Sequence, residues 1–272
     1  MKRPTGIGPN FEYERLKKRR ETLRERCASL IEAFATLVDV VVPDVRSRYM
    51  VAVGQLESRV YELKVEINRW RRRFAMRQAA LNRGGAPDYP AIEAALDAEF
   101  ADYMETIRKN LDEIRKSVLH CASETLSEEE TATLRRAYHD AAKKLHPDLN
   151  PNLPDGAKAL WLQIQKAHAD NDWKTLSFLT GLVDDVVSRE DPFESADENA
   201  MEALAKSVAA IERKCEDIRK RMDEIENRPP VSYRGFLADA AKVEERRAQL
   251  RAQMEALEKI VGEYEELWNN GR

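Results

Sequence analysis

The stretch "MEALAKSVAAIERKCEDIRKRMDEI", residues 201–225, decides the fold. Met201, Leu204, Val208, Ile211, Cys215, Ile218, Met222 and Ile225 recur at alternating steps of three and four, with mostly charged residues between them. Apolar side chains at that spacing make one narrow stripe along an α-helix; a half-buried strand would need strict alternation. Asn227-Arg228-Pro229-Pro230 ends the run, because proline has no amide hydrogen and pushes the residue before it out of helical conformation. Ala240, Val243, Leu250, Met254, Leu257, Val261, Tyr264 and Trp268 then resume the pattern, with Arg247 alone out of place. Two runs of nearly equal length predict an antiparallel hairpin about 50 Å long. A parallel dimer of longer helices is the rival arrangement.

The same regime governs the N-terminal part. Leu16, Leu23, Leu30 and Leu37 recur every seven residues, with Cys27, Phe34 and Val41 in the other seam position, until Val42-Pro43-Asp44 predicts a stop. Tyr49, Val53, Leu56, Val60, Leu63, Ile67, Trp70 and Phe74 mark a second helix, and "NRGGAPDYP", 82–90, a break. Ile92, Leu96, Phe100, Tyr103, Ile107, Leu111, Ile114 and Val118 predict one helix over about 91–119, with an eleven-residue repeat that favours a straight or slightly right-handed course. Stripes of this kind are packing seams rather than ligand sites.

Composition agrees with long solvated helices. Charged residues make up 35%, against only 10 glycines and 11 prolines in 272 residues. The net charge of −4 is unevenly spread: residues 1–83 carry 19 Lys+Arg and 10 Asp+Glu (+9), and the rest 26 and 39 (−13). Such asymmetry points to an anionic partner for the first part, or to contact between the two parts. Within it, "RWRRRFAMR", 69–77, offers a nucleic-acid patch, but Trp70 and Phe74 belong to the seam, which favours a solvated helix face and argues against nucleic acid as a partner. Cys27, Cys121 and Cys215 are too scattered for a disulfide framework or a zinc site. "MKRPTGIGPNFEYERLKKRR" has no apolar core of a secretory signal, and "LIEAFATLVDVVVP" is too short and too charged to span a bilayer. The expectation is a cytoplasmic chain with no membrane contact.

Residues 124–187 leave the heptad regime. Ser127-Glu128-Glu129-Glu130 reads as a capping box. The helix it opens has Leu134, Tyr138, Ala141 and Leu145 on one stripe and Arg136, His139 and Lys143 on the opposite face. His146-Pro147 ends it, and Pro151 and Pro154 stiffen the loop that follows. Asp155 is placed to cap a return helix whose Leu160, Trp161, Ile164, Ala167 and His168 face the first, and Asp172 to cap a further helix with Trp173, Leu176, Leu179 and Val183. Pro147 would thus fix a corner, with His146 and Asp148 projecting from an exposed tip. His139 is expected to face solvent and His168 to pack. No Ser, Cys or Gly-rich loop stands at a spacing useful for catalysis, and His139 with His146 lacks further metal ligands. No enzyme activity and no cofactor or metal are expected.

This stretch resembles the J-domain family, the DnaJ-type co-chaperones. His146-Pro147-Asp148 is the family's hallmark tripeptide; Ala137-Tyr138, Ala142 and Lys143-Lys144 match its second helix, and Asn150-Pro151 its loop. Trp161, Ile164, Ala167 and His168 fall, with one inserted residue, where the family has Phe, Ile, Ala and Tyr. The resemblance covers about residues 126–170. It implies docking on a DnaK-type ATPase chaperone and stimulation of its ATP hydrolysis, carried here by His146, Pro147, Asp148, Arg136, Lys143 and Lys144. The family's short first helix is absent, and the helix expected at 91–119 is the candidate to replace it. His139 and Asp140 stand where the family often has two basic residues.

The sequence therefore predicts an all-α protein in three consecutive stretches: an N-terminal long-helix bundle or coiled coil over 1–120, a J-like helical hairpin over 121–190, and a C-terminal coiled-coil arm over 191–272. The leading expectation is a co-chaperone or adaptor that brings a DnaK-type chaperone to a client or complex held by the arms, with homodimerisation through those arms as a further option. The alternatives are a scaffold that keeps a J-like fold without chaperone contact, and a nucleic-acid adaptor using the basic N-terminal part.

Overall fold

The computed structural model describes residues 9–123, 126–186 and 198–270. The chain is all-α, and among the described residues there is no strand. In chain order the helices are α1 (Pro9–Thr36), α2 (Val42–Tyr49), α3 (Gln55–Asn82), α4 (Tyr89–Glu99), α5 (Ala101–Ala122) and α6 (Glu128–Leu145). There follow α7 (Asp155–Ala169), α8 (Trp173–Gly181), α9 (Val183–Val186), α10 (Glu198–Glu226), α11 (Arg234–Ala238) and α12 (Ala240–Asn270). They form two compact units. One comprises Met1–Pro43 and Glu124–Val231, the other Asp44–Ser123 and Ser232–Arg272. The three consecutive stretches expected from the sequence are thus interleaved in the fold, and the boundary at 190–191 falls outside the described residues.

In the first unit α1 lies along α10. Arg20 donates to Ser207, Arg19 pairs with Glu212, and Cys27 meets Cys215, so the two helices run parallel. Leu204, Val208, Ile211, Cys215 and Ile218 are buried, as the seam requires. The pairing nevertheless corrects the expected hairpin: the seam of α10 is filled by α1, not by the run beyond Pro230. On α1 the buried residues are Tyr13, Cys27, Ala28, Ile31 and Ala35, whereas the heptad leucines Leu16, Leu23 and Leu30 are only half-buried, because α1 also packs against α6. Small residues let two neighbours approach it at once.

In the second unit α3 carries α12, α4 and α5. Contacts of Glu57 with Arg246, Arg59 with Glu258 and Trp70 with Trp268 make the α3–α12 pair parallel as well. Val65, off the seam, joins Ile92, Leu96 and Phe100 in a core on the other side of α3. The single helix expected over 91–119 is two. Phe100, 6% exposed, leaves helical geometry (φ −100°, ψ 6°) as its ring enters that core.

The predicted stop at Pro43 does not occur. The backbone passes through it in a π-turn, Leu37–Val41, in which the Val42 amide reaches Leu37. A wider turn accommodates a residue that lacks an amide hydrogen and crowds the preceding carbonyls. A second π-turn spans Met50–Gly54. A Cβ on Gly54 would sit 2.6 Å from the Met50 sulfur, so a larger residue there would have to push the flexible end of Met50 aside.

Candidate functional site

The capping box forms as the sequence predicts: Ser127 Oγ accepts from the Glu130 amide, and Glu130 accepts from the Ser127 amide. It starts α6, which buries Leu134, Tyr138, Ala141, Ala142 and Leu145 against α7 and α8. Ile164, Ala167 and Trp161 answer from α7. Asp172 caps α8 by accepting from Thr175, whereas Asp155 is the first residue of α7 and bonds Lys158; the cap position belongs to Pro154.

Between α6 and α7 the tripeptide makes a tight turn. The His146 carbonyl accepts from the amides of Leu149 (3.0 Å) and Asn150 (2.9 Å), and the Asp148 amide donates to His146 Nδ1 at 3.1 Å. That last bond requires an unprotonated Nδ1. Burial, chiefly, and the nearby Lys214 ammonium hold the His146 pKa below its ordinary value, against the opposing pull of Asp148. The neutral ring is only 17% exposed and stands edge-on to Trp161. The expectation of a freely projecting tip is therefore corrected: Pro147 faces solvent, but His146 is largely covered and Asp148 Oδ2 is bound by Lys214 of α10 at 2.6 Å.

The basic residues divide. Lys143 lies between Glu21 (2.8 Å) and Glu25 (2.6 Å) of α1. Their hydrogen bonds raise its pKa, and Lys143 in turn lowers that of Glu25. His139, expected in solvent, contacts Glu25 at 3.2 Å. Lys144 pairs with Asp184 at 2.6 Å. Arg136 is exposed and, with Thr133, Asp140, Lys144, Thr180 and Asp184, lines a surface groove of about 460 Å³ between α6 and α8–α9. The structure thus brings His146, Asp148 and Lys143 together on the side of α1 and α10, and sets Arg136 and Lys144 apart on the groove.

Several contributors are invisible to sequence reasoning. Arg24 of α1 donates to Asn150 Oδ1 at 2.6 Å, and Asn150 donates to the Lys143 carbonyl, which ties the turn to α1. Lys214 and Glu25 look like ordinary helix-surface charges, and only knowledge of which helix packs against α6 singles them out. The helix that packs beside α6 is α1; α5, within the stretch 91–119, belongs to the other unit. His168 packs as expected, fully buried against Tyr138, with Nδ1 3.2 Å from Asp39.

Three of the arginines of 69–77 hold α4 in place. Arg69 binds Asp97 and Glu93, Arg72 binds Glu99, and Arg73 makes two bonds to Glu93. Among the described residues no three His, Cys, Asp or Glu side chains converge as a metal site, and no helix is long and apolar enough to cross a membrane. Comparisons of the chain with protein-family models, curated proteins and solved structures found no match.

Proposed function

We propose that the chain is a J-type adaptor that docks a DnaK-type ATPase chaperone through the His146-Pro147-Asp148 turn and brings it to whatever its long helices bind. The observation that carries this reading is the turn itself. Two antiparallel-packed helices present Pro147 at a sharp corner, and a hydrogen bond from the Asp148 amide to Nδ1 fixes the imidazole in one tautomer. A pre-organised polar turn is suited to docking, because little side-chain freedom remains to be lost on association. Single-turnover ATP hydrolysis by a DnaK-type chaperone from the same cell tests it. Wild-type protein should accelerate hydrolysis, and His146→Gln or Asp148→Asn should return it to the basal rate with helicity unchanged. No acceleration by the wild type would end the reading.

One observation favours a second reading, a scaffold with a J-like corner and no chaperone contact. Asp148, Lys143 and Lys144 already have partners within the chain. On that reading Asp148→Asn lowers thermal stability without touching any ATPase, so the same pair of measurements separates the two.

A further inference from the structure

Arg135, His139 and Lys143 follow one another at every fourth residue, a single row along α6. Glu32, Glu25 and Glu21 of α1 answer them in reverse order, at 3.9 Å, 3.2 Å and 2.8 Å. Glu25 reaches Lys143 as well. An acidic row on one helix thus lies against a basic row on the other. It borders the turn, where Arg24 holds Asn150 and Lys214 holds Asp148.

The end of this contact near the turn is built differently from the middle of α1. Cys27, Ala28 and Ile31 are buried in the core, so displacing α1 as a whole would expose apolar surface. Glu21 and Glu25 keep 55% and 50% of their side chains exposed, and Lys143 keeps 31%. Ion pairs so exposed contribute on the order of 1 kcal/mol or less each. Their carboxylates can rotate into solvent while the α1 backbone stays in place. A carboxylate from another molecule can then take the same ammonium.

We infer that Glu21 and Glu25 are built-in competitors for the docking face: they occupy the cations that a partner's carboxylates would use, and so set the affinity for an acidic protein surface. This rests on the docking reading above and adds to it the element that opposes docking. The competition is electrostatic and lies at the rim, so it acts through side-chain rotation and is weakened by salt.

The test is binding of a fluorescently labelled DnaK-type chaperone, in its ATP-bound form, to the full chain. Glu21→Gln with Glu25→Gln keeps shape and hydrogen-bonding capacity while removing both charges. The double variant should bind about fivefold tighter or more at low salt, with a smaller gain at physiological salt. Glu12→Gln, whose carboxylate pairs with Arg15 on the same helix, should bind as wild type. Adding Lys143→Gln to the double variant should abolish the gain. A double variant that binds no better than a binding-competent wild type overturns the competition and leaves the docking reading standing. Absence of binding by wild type and variant alike overturns the docking reading, and the competition with it.

Discussion

His146 has its ring between Trp161 and the Asp148 amide, and the unprotonated Nδ1 that this bond requires gives the protein a pH dependence of known sign. Burial lowers its pKa in the folded state, so the unfolded chain binds more protons. The corresponding stability is complete above the unfolded pKa of about 6.5 and is lost as pH falls through the folded value. Urea midpoints of the first unit should decline from pH 7 to pH 5, and His146→Gln should flatten that decline. An identical slope in the variant would assign it to other groups. Glu25, lowered by Lys143, acts separately and further down, below about pH 4.5. Arginines of one stretch also differ in role. Arg73 is 13% exposed, bonds Glu93 twice and lies 4.2 Å above Trp70, whereas Arg71 touches only Tyr264 at the surface. Arg73→Gln should cost about 1–3 kcal/mol in chemical denaturation, since it removes two charge-assisted bonds and leaves Glu93 with Arg69 as its charged donor. Arg71→Gln should stay within about 0.5 kcal/mol. The sequence shows the Trp70–Phe74 seam but not this division, because acids on α4 choose between the arginines.

The elements themselves are largely legible in the chain, and their partners are not. Every position of the α10 stripe is apolar, so its burial follows from spacing alone, as do the Ser127 capping box and the Asp172 cap. A stripe of Leu, Ile and Met carries no address, however. The α10 seam takes α1 in parallel, and nothing in its spacing distinguishes that partner from the run after Pro230. Pro43 misleads for a different reason: a π-turn removes the amide requirement that would otherwise end the helix. Arg247 belongs to the same class of exception. It interrupts the α12 seam because its Nε donates to the Ala52 carbonyl at 2.7 Å, inside the second π-turn, where a wider turn disturbs the regular pairing of carbonyls. Arg247→Leu would complete the apolar stripe and should nonetheless destabilise the second unit, by about 1 kcal/mol, through the partner lost to Ala52. A variant that melts higher than wild type would show that the seam outweighs the carbonyl.

At the scale of the molecule, both long helix pairs run parallel. Arg20 and Ser207 lie 187 positions apart in the first unit, and Glu57 and Arg246 lie 189 apart in the second. The C-terminal helices therefore answer the N-terminal ones in order, α10 to α1 and α12 to α3, and each unit draws on both ends of the chain. Neither unit is a continuous stretch, and of the two breaks read from composition 227–230 lies at a limit between the units, whereas 82–90 lies inside the second. Each nevertheless has its own core: Leu145, Ile164 and Leu176 in the first, Leu63, Ile67 and Val261 in the second. Separate cores predict separate responses to damage. Leu145 and Leu63 are both buried to 1% exposure or less, so Leu→Ala at either should cost about 2–5 kcal/mol in its own unit. Calorimetry of Leu145→Ala should lower one part of the unfolding endotherm, and Leu63→Ala another. Fluorescence supplies the assignment, because Trp161 lies in the first core whereas Trp70 and Trp268 lie in the second. Removing the tryptophans of one unit by conservative Phe substitution lets the other report alone. If both alanine variants shift a single transition equally, whichever tryptophan reports it, the long helices couple the two cores into one cooperative unit, and the division is geometric rather than thermodynamic.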